Sequence, residues 1–242
     1  MARTYVVGDI HGGLHALKEV LDKVPFSSED LFIFVGDYVD GWSDNAETIA
    51  FLLDFSEANN CIFLRGNHDE LLYNFLKKGD KNPVWLASGG ISSMYSYANL
   101  SEEEIQLHMH FLEKLENYHV DTKNRLFVHA GFTSIHGPQH EFYPRNVYWD
   151  RTLWEMAYSM DQSLRLGELQ YPKRLSLFNE IFIGHTPVTR VGKSKPTNFA
   201  NVWNVDTGAA FKGPLSILDA ESKEIWQSKP VWTLYPEEMG RN

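Results

Sequence analysis

Carboxylates, imidazoles and one carboxamide recur beside glycine in five short stretches. They read Gly8-Asp9-Ile10-His11-Gly12, Gly36-Asp37-Tyr38-Val39-Asp40, Gly66-Asn67-His68-Asp69, Val128-His129-Ala130-Gly131 and Gly184-His185-Thr186. Taken singly, each is an ordinary turn or helix entry. Taken together, Asp9, His11, Asp37, Asn67, His129 and His185 form a mixed oxygen and nitrogen donor set suited to two divalent metal ions. Cysteine is absent from the set, which points away from structural zinc. Mn²⁺ is the first expectation, and Fe or Zn²⁺ would tolerate the same ligands. The glycines let the backbone turn sharply where a strand stops.

Such residues need a scaffold that brings strand ends together. Residues 5–7, 31–35 and 61–64 are short apolar runs, each followed by one of the motifs. Between them Leu14, Leu17, Val20, Leu21 and Val24, then Ile49, Leu52, Leu53 and Phe55, recur at helical spacing. A further helix opens at residues 71–76, and Ser101-Glu102-Glu103-Glu104 is a capping-box signature for another. Residues 127–128 and 181–183 lead as strands into His129 and Gly184, and 202–205, 215–218 and 225–226 read as closing strands. This alternation predicts an α/β fold with the donors at the C-terminal ends of strands, where open α/β sheets bind ligands. One domain over 1–242 is expected, with helical or irregular inserts at about 84–120 and 132–177. The aromatic segment at 232–236 either packs over the sheets or meets a partner.

Composition narrows the class. Twenty-two basic against 32 acidic residues give a net charge of −10, which argues against a nucleic-acid binder. A hydrophobic fraction of 43% suits a globular chain. The single cysteine, Cys61, allows no intrachain disulfide. The first residues lack the apolar stretch of a signal peptide, and no run approaches the length of a membrane span. A cytoplasmic protein without membrane or nucleic-acid partners is expected.

As a set, the motifs resemble those of the calcineurin-like metallophosphoesterases, and most closely the PPP-type serine/threonine phosphoprotein phosphatases with their bacterial and bacteriophage members. The resemblance runs in order from residue 8 to residue 186, and residues 204–209 resemble the closing strand of the bacterial members. It implies a four-layer α/β/β/α sandwich with a dimetal site at the strand C-terminal edge. Asp9 and His11 would bind the first metal, Asp37 would bridge both, and Asn67, His129 and His185 would complete the second. A bridging hydroxide would attack phosphorus in line. His68 would protonate the leaving oxygen, and Asp40 would orient His68.

The chain departs from this pattern at one charged position. The family motif continues Asp-Arg-Gly, and its arginine contacts phosphate, whereas here the chain reads Asp40-Gly41-Trp42. Arg151, in Trp149-Asp150-Arg151, resembles a second family arginine and is a candidate phosphate contact, as is Arg65 before Gly-Asn-His. Trp42 can cover the vacated space by packing, or stack on an aromatic group of the substrate. Pro187 stands where many phosphodiesterases carry a second metal-binding histidine, which favours the PPP-like branch. The expected function is hydrolysis of phosphomonoesters, with a phosphorylated protein or small phosphoester as partner. Two alternatives stand beside it: a diadenosine polyphosphate or nucleotide pyrophosphohydrolase, and a non-catalytic phospho-binding protein.

Overall fold

A computed structural model describes residues 2–241. Two five-stranded mixed sheets face one another. The first has the order β10-β9-β1-β2-β3 and the second β4-β5-β6-β8-β7. In the first sheet β1 (Thr4–Val7), β2 (Leu31–Phe34) and β3 (Asn60–Phe63) run parallel, and β9 (Pro214–Asp219) and β10 (Ile225–Pro230) close it antiparallel. In the second, β5 (Arg125–Val128), β6 (Glu180–Ile183) and β8 (Val202–Asn204) run parallel, flanked by antiparallel β4 (Tyr118–Val120) and β7 (Thr197–Phe199).

The unbroken apolar runs of the central strands follow from burial on both faces. Side chains alternate across a strand, so Val6, Ile33, Val35, Phe127, Phe182 and Leu218 meet between the sheets. Phe127 and Phe182 stack there with ring centroids 4.9 Å apart. Tyr5, Val7, Phe32 and Phe34 point the other way, into a core shared with α1 (Leu14–Leu21), α2 (Asn45–Ala58) and α3 (Asn67–Lys78). On the far face of the second sheet, Leu126, Val128, Ile181 and Ile183 pack against Leu153, Trp154 and Ala157 of α7 (Thr152–Ser159). The result is an α/β/β/α sandwich, as the sequence implied.

The segment after α3 adds α4 (Pro83–Trp85), a π-type turn at Leu86–Gly90, α5 (Ile91–Tyr97) and α6 (Glu102–Lys114) to the helical layer. The capping box at Ser101 starts α6: Glu104 N–H donates to Ser101 Oγ at 3.3 Å, and Ser101 N–H to Glu104 Oε2 at 2.8 Å. Strands β4 and β7 were not foreseen. Each has three residues without an apolar run, and each is held by pairing at a sheet edge. Among the described residues no helix is long and apolar enough to cross a membrane. Replacing Phe182 with alanine should cost about 3–5 kcal/mol of stability through the cavity left between the sheets. Urea unfolding checks this, and a loss below about 1 kcal/mol would contradict the inter-sheet packing described.

Candidate metal centre

The parallel strands β1, β2, β3, β5 and β6 all end at one edge, and each of the five motifs lies at or just beyond the end of one of them. The turns there are tight enough to put His11, Asp37, Asp40 and His185 in the left-handed region, at φ of 54°, 55°, 69° and 68°. Each such residue costs about 1 kcal/mol or more, so the surrounding contacts must hold it. Glycine is needed for space as well. A methyl group at Gly184 would collide with Asp9 Oδ1, and one at Gly66 with Asp37 Oδ1.

Asp37 lies at the centre. Its Oδ1 accepts from the backbone N–H of His68 at 3.0 Å, at the start of α3. Its Oδ2 sits 3.6 Å from His11 Nε2 and 3.4 Å from His129 Nε2, so one oxygen faces imidazoles from both sheets. Asp69 fixes the two loops that make this possible. Its carboxylate accepts from the N–H groups of Gly66, Asp37 and Tyr38 at 2.8, 2.8 and 2.9 Å.

The imidazoles are oriented for ligation. His11 Nδ1 lies 2.8 Å from Asp40 O, and His129 Nδ1 lies 2.9 Å from Val35 O. A carbonyl can only accept, so each Nδ1 carries a proton and each Nε2 is turned towards the centre. His129 Nε2 also lies 3.3 Å from Asn67 Oδ1 and 3.2 Å from His185 Nδ1. Burial pushes the His185 imidazole well below its usual range, with His129 and Arg151 adding to the effect. Burial does the same to His11, helped by Arg241 and His68. Both are thereby kept in the neutral, ligating form.

Asp9 accepts from His185 N–H at 2.9 Å through Oδ2, while its Oδ1 is buried without a hydrogen-bond partner. Burial, with Asp206 and Asp37 nearby, raises the Asp9 carboxyl well above the carboxylate range. An orphaned oxygen, facing lone pairs and crowded buried carboxylates are what a divalent cation would compensate. Two groups of donor atoms close enough to hold an ion overlap at Asp37: His11 with Asp37 beside His68, and Asp37 with His129 and His185. The residues therefore fit two metal ions sharing Asp37.

Beside the cluster is a second pair. His68 Nδ1 lies 2.7 Å from Asp40 Oδ2. Asp40 is itself held from α4 and α5: Trp85 Nε1 donates to Oδ2 at 2.6 Å, and Ser93 Oγ donates to Oδ1. A cavity of about 180 Å³ opens over these groups, and Arg151 lines it with its Nη1 3.0 Å from Thr186 Oγ1.

Nine of the ten residues singled out from the sequence thus gather at one edge. The tenth does not. Arg65 turns away from the cavity and donates through Nη2 to Glu113 O and Leu115 O, both at 3.2 Å, tying β3 to the end of α6. Trp42 does not reach the cavity either. It is fully buried, donates to Ala209 O at 2.7 Å and stacks on Tyr235. Its role is packing, and segment 232–236 packs over it.

Sequence reasoning assigned no role to Asp206, Arg190 or Arg241, which line the cavity, or to Trp85 and Ser93, which hold Asp40. Asp206 carried the same signal as the other donors, a carboxylate after a strand and near a glycine. Burial, with Asp37 nearby, pushes its carboxyl up to about 6. The others gave no local signal.

Fold and site together define a metal-dependent phosphoesterase. The chain belongs to the calcineurin-like phosphoesterase family, which matches residues 2–210 and whose members work with two metal ions. It is 30% identical over 228 residues to serine/threonine-protein phosphatase 2 of Salmonella typhimurium, covering 88% of this chain and 90% of that one. It is 26% identical over 239 residues to an asymmetrical bis(5'-nucleosyl)-tetraphosphatase of Oceanobacillus iheyensis, covering 91% and 89%. The solved cold-active protein-tyrosine phosphatase of a Shewanella species shares the fold at a TM-score of 0.61 and 14% identity, covering 95% of this chain and 81% of that one.

Elemental analysis of protein purified with Mn²⁺ should find about two metal ions per chain, as two-metal sites require. Asp37→Asn should lower that content while leaving the circular-dichroism spectrum unchanged. Full metal content in this variant would exclude Asp37 as the shared ligand.

Proposed function

We propose that this protein hydrolyses phosphomonoesters, with phosphoserine or phosphothreonine peptides and small phosphoesters as substrates. The observation that carries the reading is the His68–Asp40 pair at 2.7 Å beside the ligand cluster. Asp9, His11, Asp37, Asn67, His129 and His185 would hold two metal ions, taken to be Mn²⁺. When bound, the ions would supply a water activated for attack and neutralise charge on the phosphoryl oxygens.

The chain's own groups would do the rest. Arg151 would hold a phosphoryl oxygen by a charge-assisted hydrogen bond. His68, with Nδ1 on Asp40, would present a protonated Nε2 to the leaving oxygen. Asp40 fixes the ring plane. An alkoxide is a poor leaving group and needs that proton. A nucleotide phosphate leaves more readily and needs it less. The pair, held by Trp85 and Ser93, therefore supports monoester cleavage. It also counts against a binding module, which has no use for a general acid. The presence of one cysteine, Cys61, is consistent with a cytoplasmic setting.

A second reading, hydrolysis of dinucleoside polyphosphates, is favoured by the name of the Oceanobacillus relative and by Trp149 and Phe211 at the cavity, where a base can stack. Steady-state rates on p-nitrophenyl phosphate, a phosphothreonine peptide and diadenosine tetraphosphate separate the two. The monoesters are expected to give the higher kcat/KM, and a strong preference for the dinucleotide would overturn this ranking. His68→Asn should lower kcat by about 10²–10⁴-fold at unchanged metal content. Wild-type turnover in that variant would remove His68 from the mechanism.

A further inference from the structure

Gly41 leaves a charge missing beside the ligand cluster, and a different part of the chain occupies the space. A methyl group on Gly41 would lie 2.9 Å from His11 O and 3.6 Å from Arg241 Cγ. One on Gly89, in the π-type turn, would lie 3.2 Å from the same Cγ. The stem of Arg241 thus crosses two glycines, and its head joins His11, Asp37, His68 and Arg151 in lining the cavity. Arg241 Nε is buried without a hydrogen-bond partner. Among the described residues Arg241 forms no ion pair, and its guanidinium lies 5.4 Å from the centre of the Phe211 ring. A buried donor of this kind, beside a cavity and with no acceptor, is suited to an anionic ligand.

The segment carrying Arg241 is fixed at several points to the loop that departs from the family motif. Tyr235 stacks on Trp42 at 5.3 Å and donates to Asp44 Oδ2 at 2.6 Å. Glu238 accepts from Ser43 N–H at 2.9 Å and from Ser43 Oγ at 2.6 Å. Gly240, at φ 58°, passes so close to Trp42 that a methyl group there would lie 2.7 Å from its ring. Arg241 N–H then donates to Ala210 O at 2.9 Å. Gly41, Trp42 and Ser43 each therefore have a partner in segment 235–241.

We infer that Arg241 is a substrate-binding residue that contacts the phosphoryl group opposite Arg151, delivered by segment 235–241 into the space that Gly41 leaves open. This inference rests on the phosphoesterase reading above. A planar guanidinium can donate two parallel hydrogen bonds to phosphate oxygens, so one arginine replaces another in chemistry while arriving from a distant point in the chain. Glu238 acts through Arg241 by holding its segment, and is a positioning residue.

The test uses the Mn²⁺-loaded full chain. Inorganic phosphate binding is measured by calorimetry, and p-nitrophenyl phosphate turnover by steady-state kinetics, for wild type, Arg241→Gln, Arg241→Lys and Glu238→Ala. Arg241→Gln should weaken phosphate binding and lower kcat/KM by about 10–100-fold each, the range for one charged hydrogen-bonding group, at unchanged metal content. Arg241→Lys should recover only part of both, and Glu238→Ala should lie between wild type and Arg241→Gln. Added guanidinium ion should restore turnover to Arg241→Gln. Wild-type phosphate affinity and kcat/KM in Arg241→Gln would overturn the inference. So would losses that track a lowered melting temperature alone, without rescue. If wild type binds phosphate but turns over no phosphoester, the phosphoesterase reading fails, and the phosphate affinities of the variants still decide the role of Arg241.

Discussion

The site turns on burying the carboxylate of Asp37 between two sheets. An isolated buried carboxylate costs several kcal/mol, so the fold must supply compensation from every side. It does so with the His68 N–H on one oxygen and with His11 and His129, from opposite sheets, facing the other. Burial alone would raise the Asp37 carboxyl. His129, the largest of the opposing influences, outweighs that and the carboxyl is held well below the usual range. The loops that carry these groups accept left-handed backbone at four residues to achieve it. Because both sheets contribute, the packing of Val6, Ile33 and Val35 of the first sheet against Phe127 and Phe182 of the second also sets the geometry of the centre. Metal affinity and fold stability are therefore linked.

Around that fixed centre, chemistry is added by elements that no sheet requires. Helices α4 and α5 bring Trp85 and Ser93 to Asp40, and so orient His68. Segment 235–241 brings a cation over Gly41. The sandwich by itself does not set the substrate, which fits relatives that carry the names of different phosphoesterases. Electrostatics follow the same division. A chain of net charge −10 gathers Arg151, Arg190 and Arg241 at one cavity, so the total describes the outer surface and says little about the ligand.

Much of this was legible in the sequence where a signal was local. The runs ending at Gly8, Gly36 and Gly184 read as strands because their residues are apolar without interruption, the mark of burial on both faces. The donors read as ligands because each follows such a run beside a glycine. Asp206 carried the same mark and went unassigned, since β8 before it is short. Arg65 was misread, because adjacency to Gly-Asn-His fixes its place in the chain but not the direction of its guanidinium. In the structure the C-terminal carbonyls of α6 attract it instead, as a helix end attracts a cation.

The sequence by itself determined the α/β alternation and the ordered strand-end motifs that place the chain in its family, because strand periodicity and strand-end motifs are properties of neighbouring residues. Tertiary structure alone decided which cations line the cavity and what holds Asp40 against His68. Asp40 meets Trp85 and Ser93 across 45 and 53 residues, and Arg241 lies 200 residues from Gly41. No local pattern encodes such meetings. They arise when layers pack and leave a space of one shape, and here a missing side chain at Gly41 is filled by a stem from elsewhere in the chain.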